Sequence, residues 1–64
     1  MSENLLERGD RVVVQVTAVL PFGVLVATET GVNGLVRAAT ASIGETITVE
    51  IAEYDGERFS AHLA

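Results

Sequence analysis

The chain has 64 residues, no cysteine and no tryptophan, and its four arginines face nine acidic residues, giving a formal charge of −5. That length holds one domain and excludes a cleft between two lobes, and the absence of cysteine excludes disulfides and thiolate metal sites. With 48% hydrophobic residues the composition is too apolar for a disordered tail, while its negative field repels nucleic acid and anionic membranes except at a local face.

The hydrophobic residues come in short β-branched bursts. Arg11–Leu20 (RVVVQVTAVL) predicts a first strand, with Val12, Val14 and Val16 on one face and Val13, Gln15 and Thr17 on the other. The three-residue step from Val16 to Val19 breaks the alternation and predicts a bulge near Thr17–Ala18. Pro21, which cannot donate to a ladder, separates this strand from Gly23–Thr28. Glu29-Thr30-Gly31 reads as a hairpin turn into a third strand, Val32–Arg37. There strict alternation places Leu35 on the side of Arg37, so that one of them is expected to leave the regular strand.

Ala38–Ile43 is the one stretch with helical character and has room for a single turn. Thr46–Glu53 alternates strictly through Ile47, Val49 and Ile51, and Asp55-Gly56 marks a turn into Arg58–Leu63, whose Phe59, Ala61 and Leu63 are expected to point inward. Five short strands, with at most one helical turn between the third and fourth, predict an all-β, closed Greek-key barrel of the oligonucleotide/oligosaccharide-binding (OB) kind. An SH3-like barrel is the structural competitor.

In chain order, Gly9, VVVQVTAVLPFGVLV, GVNGLVR, IGETITVEIAEYD and RFSAHL together resemble the S1-type RNA-binding domain. The resemblance runs from Gly9 to Leu63 and implies an OB barrel over residues 9–64 behind an N-terminal tail, residues 1–8. It also implies RNA contacts on the outer face of the second and third strands. Of the family's usual positions, the first aromatic falls on Phe22 and the second on Leu25, which has no ring. The histidine position is occupied by Arg37, while the aspartate and arginine are kept as Asp55 and Arg58. Gln15 stands where the first strand often carries a basic or polar residue. Only six residues separate Arg37 from Gly44, fewer than the family commonly has, so the barrel end they cover is expected to be thinly capped.

Each candidate also has a plainer role. Phe22 at a strand start suits a core, Arg37 and Arg58 suit solvated surface, and Asp55 with Arg58 suits a turn holding an exposed ion pair. His62, the sole histidine, fits a surface position, and Tyr54 a barrel rim with its hydroxyl in water. No cofactor, metal or catalytic constellation is expected: the acids are scattered, the glycines stand singly at turns, and no serine has a base beside it.

Two functions follow. One is a small module binding single-stranded RNA weakly, in translation or RNA metabolism. The other is an acidic protein-interaction module, a regulator or inhibitor, docking on a basic protein or ribonucleoprotein. The longest apolar run is too short for a membrane span and Met1–Glu7 is polar, so a cytoplasmic protein without a membrane partner is expected.

Overall fold

The computed structural model describes residues 6–64. Within them the chain forms β1 (Arg11–Leu20), β2 (Gly23–Ala27), β3 (Asn33–Arg37), β4 (Thr46–Tyr54) and β5 (Arg58–Leu63). The strands close into a barrel in the order β1-β2-β3-β5-β4, with β1 also paired to β4. Every pairing is antiparallel except β3 with β5. This is the OB strand order, and closure leaves no open edge.

β1 is long enough to serve two partners because it bends. Its first half, Arg11 to Gln15, lies against β4, and Gln15 to Leu20 lies against β2. The register against β2 shifts between Val16 and Ala18, placing a bulge at Thr17 where the valine spacing predicts one. A second shift between Ile51 and Glu53 makes Ala52 the extra residue of β4; its alternation gave no sign of it.

The interior is filled mostly by valine. Val16, Val24, Val26, Val36, Val49 and Ile51 are fully buried, Val14, Phe59 and Ala61 nearly so, and among the described residues no polar side chain is buried. Small β-branched side chains suit a narrow barrel, since they fill it without strained rotamers. Phe59 is the one large exception, and it fits because the inward position beside it on β3 is Gly34.

Two expectations are corrected, those for Leu63 and for the end of β3, and the single helical turn allowed between β3 and β4 is not formed. Ala38–Ile43 forms no helical turn: Ala38 reverses the chain with a positive φ of 58°, a left-handed conformation that cannot start a right-handed helix. Leu63 has the inward parity of its partner Val49 but lies at the strand end, where it stays 49% exposed. Val19, opposite the buried Val24, is 53% exposed for the same reason. The loop after β3 covers this end of the barrel with little more than Ala39 and Ala41. Neither Leu35 nor Arg37 leaves β3; both face outward while Gly34 and Val36 face the core.

Of the tail expected over residues 1–8, residues 1–5 lie outside the described residues. Leu6 packs against the core, and the Gly9 N–H donates to the Ile51 carbonyl at 2.8 Å. Among the described residues no helix is long and apolar enough to cross a membrane.

Candidate nucleic-acid interface

Register determines what the outer face presents. Leu25 stands opposite Leu35, Leu35 opposite Ser60, and Ser60 opposite Glu53, so one cross-strand row runs over β2, β3, β5 and β4. Above it, Ala27, Asn33 and Arg58 form a second row. These rows floor an open groove of about 910 Å³, bordered by Phe22 in the β1–β2 turn and by Asp55, Glu57 and Arg58 at the β4–β5 turn.

Phe22 is 61% exposed. Its carbonyl accepts the Ala38 N–H at 2.9 Å, tying the turn that carries it to the end of β3. The ring is therefore not a core residue, and its position is held by backbone contacts. Gly23 beside it lies so close to β3 that a Cβ would run into the Val36 carbonyl. Leu25 and Leu35 continue the apolar surface across two strands.

Asp55 has a local role. Its Oδ1 accepts the N–H groups of Glu57 at 2.8 Å and Arg58 at 2.9 Å, an Asx turn that starts β5. The Tyr54 hydroxyl donates to the Gly56 carbonyl at 3.2 Å, closing the same turn from the other side, with its ring packed on the core. Those two backbone N–H groups, that of Arg58 first, hold the Asp55 carboxyl below its ordinary value. The depressed value means the turn's contribution to stability is present above pH 3.8, the ordinary value for the group, and is lost as pH falls through the lower folded value. Asp55→Asn keeps the acceptor and is expected to retain the turn without this acid sensitivity. Asp55→Ala removes both and is expected to melt below Asp55→Asn at neutral pH. Thermal melts of the three proteins from neutral to acidic pH test this; equal melting of the two variants would show that the turn does not need the acceptor.

The candidate positions divide between surfaces. Phe22, Leu25, Asp55 and Arg58 border the groove together. Arg37 sits beside Gly23 at the end of β3 and borders a second, shallower depression with Arg8 and His62. Gln15 lies outside both, and its Nε2 donates to the Gly44 carbonyl at 3.4 Å, linking β1 to the loop before β4. Among the residues not anticipated as part of the groove are Asn33, Leu35, Glu53, Glu57 and Ser60. Glu53, Asp55 and Glu57 set three carboxylates against the single guanidinium of Arg58. His62 is exposed, and its Nε2 lies 4.0 Å from a carboxylate oxygen of Glu50.

No protein-family model matches the sequence, and no curated protein does. Solved structures do match the fold. An uncharacterized protein, MJ1198 from Methanocaldococcus jannaschii, superposes with a TM-score of 0.82 at 17% identity, covering 94% of this chain and 95% of the other. GSP13 from Bacillus subtilis superposes with a TM-score of 0.74 at 22% identity, covering 94% of this chain and 55% of its own length. With the closed five-stranded order, these likenesses make the chain a small OB-fold domain.

Proposed function

We propose that the chain is an S1-type module that binds single-stranded RNA weakly, without a reaction of its own, and acts in the cytoplasm in translation or RNA metabolism. The observation that carries this reading is the open groove over β2, β3 and β5, with an exposed Phe22 ring at one border and Arg58 at another. A single-stranded base needs a flat surface, which Phe22 offers with Leu25 and Leu35 extending the apolar floor beside it, and its phosphates need cations close by. The OB fold uses this face and the adjoining loops for oligonucleotides.

One observation favours a second reading. Glu53, Asp55 and Glu57 give the groove more negative than positive charge, which suits an arginine- or lysine-rich protein segment better than a polyanion. A chemical-shift map with a short single-stranded RNA at low salt separates the two. Perturbations centred on Phe22, Leu25, Leu35 and Ser60 are expected. Perturbations centred instead on Val13 and Thr48, which face each other across β1 and β4, would put the contact on another face, and no perturbation would leave the basic partner.

A further inference from the structure

Three basic side chains from separate elements border the shallow depression beside the groove: Arg8 before β1, Arg37 at the end of β3, and His62 on β5. Nothing in the sequence places Arg8 there. The chain ahead of β1 is fastened along β4, because the Gly9 N–H donates to the Ile51 carbonyl at 2.8 Å and the Ile51 N–H donates to the Asp10 carbonyl at 2.8 Å. The Arg8 Nε then donates to the carbonyl of Ala52, the bulged residue of β4, at 3.3 Å. The bulge thus supplies the acceptor that positions this guanidinium. Ser60 and Glu53 border both the depression and the groove, so the two meet across them.

The geometry points to a path for the phosphodiester backbone: with bases in the groove, the backbone of a single strand leaves over Ser60 and reaches Arg37 and Arg8, with His62 alongside as a hydrogen-bond donor. This rests on the nucleic-acid reading of the groove and adds the course of the backbone to it. The charged groups facing the path are Arg8 and Arg37 in its favour, and Glu53 and Glu50 of β4 against it. Glu53 opposes it most directly, since it borders both surfaces that the strand would cross. A cationic protein segment on the same surface would be held by Glu53 and repelled by Arg8 and Arg37. The two occupants therefore predict opposite signs for the same substitutions.

The experiment is a titration of a labelled single-stranded RNA of about eight nucleotides, within the span of one OB fold, over a series of salt concentrations. Arg8→Gln keeps a side-chain donor for Ala52 while removing the charge, and Arg37→Gln is its counterpart on β3. Each is expected to bind about two- to fivefold more weakly at low salt and to reduce the log K against log [salt] slope by about 0.7. Arg11→Gln makes the same change in net charge at an exposed β1 position outside both surfaces, and is expected to leave the slope unchanged. Glu53→Gln is expected to bind about two- to fivefold more tightly. Wild-type binding with an unchanged Arg8→Gln slope overturns the path and leaves the groove standing, as does an equal loss in Arg11→Gln. Weaker binding by Glu53→Gln also overturns the path. No wild-type binding at low salt overturns the groove reading and the path with it.

Discussion

Gly34→Ala is expected to cost about 3 kcal/mol or more, at the severe end of overpacking effects, and to lower the melting temperature by about 12 °C or more in a chain this small. Gly34 faces the core from β3, opposite Val26 on one side and Phe59 on the other. A Cβ there would meet the Phe59 ring at three of its carbons. The ring is itself buried within the core cluster, so displacing it disturbs the side chains packed around it. Removing it alone, Phe59→Ala, is expected to cost about 3–5 kcal/mol through the cavity left behind. In that background Gly34→Ala places its methyl into the cavity and becomes neutral or stabilising. The coupling between the two is then about 3 kcal/mol or more, at the upper end for residues in contact, read from urea denaturation of the four proteins. If Phe59→Ala does not fold, Phe59→Leu takes its place in the cycle. An equal cost of Gly34→Ala in both backgrounds would show that the ring is not why β3 carries a glycine. Gly23→Ala supplies the contrast: its obstacle is the Val36 carbonyl, so no change at position 59 should relieve it.

That pair also marks how far the sequence could be read. Alternation located β1 and β4, because valine or isoleucine at every second position is visible without knowing any partner strand, and the Asp55-Gly56 turn followed by Phe59, Ala61 and Leu63 located β5. The Thr17 bulge was legible for the same reason: the break in phase lies in the chain itself. Ala52 left no such trace, since both of its neighbouring pairs read as regular alternation and only the pairing with β5 shows the slip. Gly34 has no local reason in a strand and is a fitted contact to a residue 25 positions later. The groove shows the same limit. Phe22, Leu25, Asp55 and Arg58 came from the family resemblance, one position at a time. Leu35, Ser60 and Glu53 belong to the row only through the β2–β3, β3–β5 and β4–β5 registers, and the parallel pairing of β3 with β5 has no local signature. Arg8 depends on a hydrogen bond to a bulge that was itself invisible.

Phe22→Ala is expected to weaken single-stranded RNA binding by about 5- to 150-fold, the loss of about 1–3 kcal/mol for one stacked base, while changing stability by no more than about 0.5 kcal/mol. The separation follows from where the ring sits. It is 61% exposed in a turn whose position is held by the backbone bond from Ala38 to the Phe22 carbonyl, which alanine keeps. Because the ring carries no charge, the salt slope should not move, which distinguishes its loss from that of Arg8 or Arg37. Phe22→Trp preserves a flat surface and should restore most of the affinity. Leu25→Phe adds a ring to the position opposite Leu35 on the groove floor, and should tighten binding by about fivefold, the lower end of one stacking step. Were the groove made for a basic protein segment instead, a second ring would add apolar contact without preferring nucleic acid, and Phe22→Ala would leave RNA titrations unaltered. A Phe22→Ala protein that binds RNA as wild type does, or that melts several degrees lower, would remove the stacking role and with it the main reason for reading the groove as an RNA site.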